Sequence, residues 1–466
     1  MKKSLKRTPK QILEGPVLKT LLALALPSML AFLFHTAFNF IDRFFVSRLG
    51  QVEFGALGMA FTLQSILIAI GVGTGIGASS LIARLVGSGK IKEAGNAAEH
   101  ALLVVLALSI ITTTIGPLLS RPFFILLGAS PEMLPLILSY INIILFGSFF
   151  QFFAMVGNGI LRGEGNTLTP MRVMMAGTLV NIILDPILIF GLGPFPAMGV
   201  KGAAIATVAG RVVSSLLVAG ALFSSKNVVN PNLKSFFFQS RFIKGIFAVG
   251  APSIITQLTH SLGLSLLFIL LRPYGDAAKA AFTMGFTYQQ VAIMPIFGIA
   301  QATLTMAGQN YGARNSHRLK TINHRSLRFS IIVLTFFALI FITARQPLSQ
   351  VFLKNSDMVS IGKNMLLIIS LGFPFLALRI IISSFFQGLG MGVKSLILNL
   401  AQMVLFSIPL ALLFSLFFGL NGIWSGMVLA NILTALLGYA WSARTLKQLE
   451  GDRSGGSGTG QAGVIG

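Results

Sequence analysis

Apolar runs long enough to cross a bilayer recur about twelve times along the 466 residues. They fall near 20–43, 55–86, 97–119, 133–160, 169–193, 198–223, 245–271, 280–310, 328–345, 358–388, 395–417 and 420–442. The hydrocarbon core of a bilayer is roughly 30 Å thick, and about 20 apolar helical residues span it. Inside it every backbone N–H and C=O must find a partner within the protein, which a helix provides from a single segment. These runs therefore predict an all-α membrane protein. Only 10% of the residues are charged, where a soluble domain carries about 25%. A chain so poor in charge could not cover its surface in water. The absence of cysteine excludes disulfides, thiolate metal sites and cysteine nucleophiles.

The net charge of +23 suggests a nucleic-acid partner until the charges are placed. Of 35 lysines and arginines, 24 fall on the side of the N-terminus and nine on the other. Only Arg211 and Arg379 lie inside helices. Basic loops stay in the cytoplasm, so both termini are expected there, with an even number of spans. A basic face against an anionic leaflet accounts for the charge without nucleic acid. The basic start MKKSLKRTPK precedes an apolar run from Leu18 to about Ile41. That run exceeds the roughly 7–15 apolar residues of a signal peptide, so it reads as a first membrane helix.

The chain repeats itself at a period of about 225 residues. LALPSML around Pro27 matches VGAPSII around Pro252, His35 matches His260, and Gly50 matches Gly275. RGEG at 162–165 matches QGLG at 387–390, and with a small slip GVKG at 199–202 matches GLNG at 419–422. Both halves enter from the same side. The expected fold is twelve transmembrane helices in two six-helix bundles, related by a pseudo-two-fold along the membrane normal. The expected boundaries are a cytoplasmic segment 1–19, a first bundle 20–223, a cytoplasmic linker 224–244 and a second bundle 245–446. The Gly-rich tail 447–466 reads as a flexible extension of the kind left by cloning.

Within the fifth run, TLVNIILDPILIF carries Asp185 immediately before Pro186, with Asn181 one turn earlier on the same face. A charge in hydrocarbon costs about 2.5–3.5 kcal/mol on insertion scales. Pro186 has no N–H to give the carbonyl of Ile182. A carboxylate, an amide and a freed carbonyl thus converge, which suits a proton or Na⁺. The bland alternative is an acid satisfied by packing at a kink. Asp42, at the far end of the first run, is the second intramembrane acid. It reads either as part of the same cation site or as a helix-ending residue beside Arg43. In the repeat Asp42 aligns with Leu267, and Asp185 with Ile408 before Pro409, so the acids belong to the first half alone. That asymmetry places ion coupling in the first bundle.

Tyr140, Asn158, Asn181 and Thr207 are polar residues of the same bundle; each alone is as readily a helix–helix hydrogen bond. Arg211 reads equally as a partner for an acid or a snorkelling side chain. The repeated His35/His260 pair favours a structural role. The glycine run 71–77 lies in a membrane helix, lacks a phosphate-loop Lys, and reads as close helix packing. No metal cluster, nucleotide motif or nucleophile–base set is present. The chain is therefore read as no enzyme, with no cofactor, driven by an ion gradient.

FNFIDRFFVSRLG, GILRGEGNTLTPM and NIILDPILIFGLG followed by GVKGAAIATV resemble multidrug and toxic compound extrusion (MATE) transporters, in particular the DinF-like branch. The resemblance covers roughly Lys19 to Trp441. It implies cation-coupled export of lipophilic, often cationic compounds by alternating access of two bundles. It implies an ion site of Asp42, Asn158, Asn181, Asp185 and Thr207, with Na⁺ conceivable at Asp42, Asn181 and Asp185 if the ion is not a proton. Glu164 would gate or relay protons on the cytoplasmic side, its bland reading being a solvated loop acid. Pro27, Phe38 and Tyr140 would shape the substrate cleft. Phe38 stands where the branch often has tyrosine, which removes a hydroxyl from the network.

The expectation is a proton-coupled multidrug antiporter, a monomer in the cytoplasmic membrane of a prokaryote, with small molecules and the lipid bilayer as partners. The alternatives are Na⁺ coupling and a lipid-linked oligosaccharide flippase. A flippase for anionic lipids would place several basic side chains in the cleft. Only Arg211 and Arg379 qualify, which disfavours it.

Overall fold

The glycine run 71–77 shows how these helices pack. A Cβ on Gly75 would lie 2.9 Å from the Met155 carbonyl oxygen, and one on Gly77 would lie 2.1 Å from that of Ile246. Gly71 and Gly75 meet one neighbouring helix; Gly73 and Gly77 meet another. Small residues on two faces let three backbones approach closely, as expected where packing and not water drives association.

The computed structural model describes residues 8–225, 227–232, 236–353 and 355–454; the side chains of 35–44, 46–47 and 452–454 lie outside the described set. In chain order the helices are α1 (Pro9–Glu14), α2 (Val17–Ser47), α3 (Gln51–Gly87), α4 (Ile91–Leu126), α5 (Met133–Phe146), α6 (Ser148–Gly163), α7 (Leu168–Phe190) and α8 (Gly199–Leu222). Then follow α9 (Ser240–Leu270), α10 (Gly275–Gly312), α11 (Ser316–Thr343), α12 (Arg345–Phe352), α13 (Ser356–Leu371), α14 (Phe373–Gly388), α15 (Gly392–Leu400), a π-helical turn Ala401–Ser407 and α16 (Ile408–Ser454). The described residues contain no strand.

The pairs α5–α6 and α13–α14 are single spans bent by 51° and 47°. The final apolar stretch, Gly392–Gly451, is 60 residues long, about 90 Å if helical throughout and so far beyond one bilayer. It breaks at Gly419 (φ 56°, ψ −135°) into two spans. The described chain thus makes twelve membrane crossings, as the hydropathic runs predict.

Contacts gather these helices into two units. One is Leu30–Ile254; the other joins the segment ending at Met29 to the chain from Ile255 onward. The contact boundaries fall inside α2 and α9. Each falls two residues beyond a proline, Pro27 and Pro252. Those prolines leave the carbonyls of Ala23 and Ala248 without their helical donor. Just after each, a serine hydroxyl bonds back one turn, Ser28 to Leu24 O (3.4 Å) and Ser253 to Val249 O (2.7 Å).

Within the first unit α3 is the central helix, with 72% of its apolar stretch buried; α10 holds that place in the second with 78%, against 17% for α4. The outer helices expose apolar side chains such as Ile332, Phe336 and Leu339 of α11, a stripe suited to lipid. The repeat is visible in geometry. A Cβ on Gly163 would sit 2.7 Å from the Ser79 carbonyl oxygen, and one on Gly388 would sit 2.6 Å from that of Leu304. Both partner positions differ by 225 residues.

Candidate cation site of the first unit

Helices α7 and α8 touch backbone to backbone. A Cβ on Gly177 would lie 2.7 Å from the Gly210 carbonyl oxygen, and one on Gly210 would lie 3.2 Å from the Asn181 Cβ. This close crossing presses Asn181 against α8. Asp185 follows one turn later on the same face. Asn181 Nδ2 donates to Asp185 Oδ1 at 3.1 Å. The carboxylate is fully buried and the amide 3% exposed. α7 continues through Pro186 to Gly191, whose left-handed φ of 74° ends the helix. The periodicity argument therefore holds for this pair.

The amide gives one N–H to the carboxylate, while its buried Oδ1 has no hydrogen-bond partner among the described residues. A bound cation would supply that oxygen with a partner. The carbonyl of Ile182, which Pro186 cannot serve, is a second neutral oxygen nearby. No group of three His, Asp or Glu side chains forms a metal site among the described residues.

Thr207 is half-buried on α8. Gly202 abuts Leu188 O and Gly210 abuts Gly177 O, which sets Thr207 level with Asn181. Tyr140 is buried on α5; its hydroxyl donates to Gln64 Oε1 at 3.3 Å. Asn158 is buried on α6, away from this group. Gly147 abuts Val208 and Gly157 abuts Val218, so Asn158 lies level with Val218, about 16 Å along α8 from Thr207. The structure does not bring Asn158 to Asp185. Pro27 belongs to the second unit, before the boundary within α2. The side chains of Phe38 and Asp42 lie outside the described residues.

Glu164 is 1% exposed and is not a solvated loop acid. Its Oε2 accepts from the backbone N–H groups of Val228 (3.1 Å) and Val229 (3.0 Å). The RGEGNT motif builds this turn: Gly165 takes φ 97° and Asn166 Oδ1 accepts from Thr169 N at 3.1 Å. Sequence reasoning missed three residues of α4 that hold the same linker. Glu99 Oε1 accepts from Asn232 N at 2.7 Å, His100 Nε2 accepts from Gln239 N at 2.8 Å, and Glu93 pairs with Arg241 at 3.4 Å. Acids clustered at the start of a helix beside a basic linker were the available signal.

The MatE family pattern matches residues 27–187 and 252–413, one stretch in each half. The chain belongs to the MATE family. The match confirms the resemblance carried by the motifs. Among curated relatives, the chain is 29% identical to a FAD transporter of Shewanella oneidensis, over 93% of this chain and 96% of that one. It is 27% identical to the probable multidrug resistance protein NorM of Thermotoga maritima, over 90% of each. A solved MATE family transporter in an outward-facing conformation superposes with a TM-score of 0.90 at 31% identity, covering 96% of this chain and 99% of its own. As a MATE family member the chain is an integral membrane transporter of two helical bundles and not an enzyme.

Proposed function

We propose that this MATE transporter is a proton-coupled antiporter that exports lipophilic, often cationic small molecules by alternating access. The observation that carries the reading is the fully buried Asn181–Asp185 pair in α7. A charge in hydrocarbon costs about 2.5–3.5 kcal/mol, and a cation taken up from outside offsets part of that cost. Asp42, on the same bundle, supplies the second carboxylate of the coupling site, and Thr207 and Tyr140 border it. Glu164 acts on the cytoplasmic side as a gate, through its hold on the linker backbone. The alternation of basic loops supports cytoplasmic termini in a prokaryotic inner membrane, with the protein working as a monomer. Drug-like cargo is supported by the NorM relative.

The test is ethidium or norfloxacin counterflow in vesicles under imposed pH or Na⁺ gradients. Transport by the parent should follow the pH gradient and be lost in Asp185→Asn. A mutant indistinguishable from the parent removes the coupling assignment, and transport driven by Na⁺ alone replaces the proton by Na⁺.

The FAD transporter among the relatives supports a second reading, in which the cargo bears negative groups. What favours it in this chain is Arg379, a half-buried cation in the middle of α14, in a unit whose described acids lie at or near helix ends.

A further inference from the structure

The second unit holds a partly open cavity of about 60 Å³, bordered by His260, Phe286, Gln289, Arg379, Gln402 and Asn431. That is room for a few waters or one small polar group, well short of the roughly 300–1,000 Å³ of a drug-sized site. The cavity's polar lining is one guanidinium, one imidazole, three amides and the hydroxyl of Ser407. No carboxylate borders it. The acids of this unit among the described residues are Glu14, Asp276, Asp357, Glu450 and Asp452, all at or near helix ends. Asp276 is spent on Lys279 and Glu450 on Lys320.

Arg379 is held from behind. Its Nη1 donates to Asn399 Oδ1, and Asn399 is fixed in turn by Nδ2 bonds to Ser383 Oγ (3.0 Å) and to Ser395 O (2.7 Å). Its Nε is buried and has no hydrogen-bond partner among the described residues. The π-helical turn Ala401–Ser407, which directly follows α15, contributes Gln402, Met403 and Ser407 to the wall. Such single turns of wider helix recur at functional sites. A guanidinium is a planar fork matched to the two oxygens of a carboxylate or phosphate. A half-buried cation with an open donor, in a unit whose described acids all lie at or near helix ends, lacks such a partner.

We infer that the cavity around Arg379 binds the oxyanion of the exported molecule, a carboxylate or phosphate carried on an apolar or aromatic body. The inference rests on the export reading above and names one chemical class within its cargo. Arg379 supplies the charge, and Asn399 is its positioning residue.

Norfloxacin carries a carboxylate that its ethyl ester lacks; ethidium has none. Binding of all three to the purified protein in neutral-lipid nanodiscs, followed by ligand fluorescence, needs no ion gradient. The parent should bind norfloxacin at least about tenfold tighter than the ester. Arg379→Gln should abolish that difference and leave ethidium unchanged, while Arg379→Lys retains part of it. Asp185→Asn should keep the preference, so a failure of ion coupling is read separately from a failure of this site. Equal affinity of the parent for acid and ester overturns the inference. So does an equal loss of ethidium binding in Arg379→Gln, which marks a structural role. Millimolar phosphate that binds the parent without weakening norfloxacin overturns it in favour of a free-anion site.

Discussion

Asn181 donates an amide hydrogen bond to the carboxylate of Asp185 across one turn of α7. A hydrogen bond to a charged group is worth about 1.5–3 kcal/mol. Asn181→Ala removes a donor that favours the charged carboxylate, so the site should take up a proton about tenfold to a hundredfold more tightly, without losing coupling. The check is the external pH at which ethidium counterflow reaches half its maximum. An unchanged midpoint would separate Asn181 from the ion.

Glu164 should matter through the linker. Its carboxylate takes two backbone donors, so Glu164→Ala leaves Val228 and Val229 N–H groups without their acceptor. Hydrogen exchange at those two amides should speed up by at least about tenfold. Glu164→Gln keeps an acceptor oxygen and should show a smaller change. Equal protection in all three proteins would mean that the linker is held by Glu93, Glu99 and His100 without Glu164.

Gly163 and Gly388 occupy equivalent crossings, each with a carbonyl oxygen under 3 Å from where a Cβ would stand. Gly163→Ala and Gly388→Ala should each cost about 1–3 kcal/mol by overpacking. Thermal unfolding in detergent should fall by similar amounts for the two variants. A loss confined to one would show that the halves are not built alike at this crossing.

Gly177→Val should be harsher than either, because the α7–α8 contact also seats Asn181. It should lower the thermal midpoint and ion-driven transport together. A variant that loses stability but keeps its coupling midpoint would place the cation site away from this crossing.

The twelve crossings and the internal repeat were legible because hydropathy and turn residues act locally along the chain. The Asn181–Asp185 contact was legible for the same reason: a spacing of four fixes it whatever surrounds the helix. Asn158 was not, because its depth depends on how far α6 slides along α8, which no local pattern records. Glu164, Glu99 and His100 were opaque as a group, since their partners are irregular backbone at residues 228, 229, 232 and 239. The chain order likewise hid the unit boundaries, because a helix that leaves one unit for another looks continuous in sequence.

Those boundaries lie inside α2 and α9, so neither half of the chain contains all of the bundle it mostly builds. Residues 30–223 need the front of α9, and residues 255–454 need the front of α2. A polypeptide of one half alone would carry an empty groove and a surplus helix end. Two identical copies could satisfy each other only by trading those ends. The fused chain makes that exchange permanent, with both participants supplied in equal number from one message.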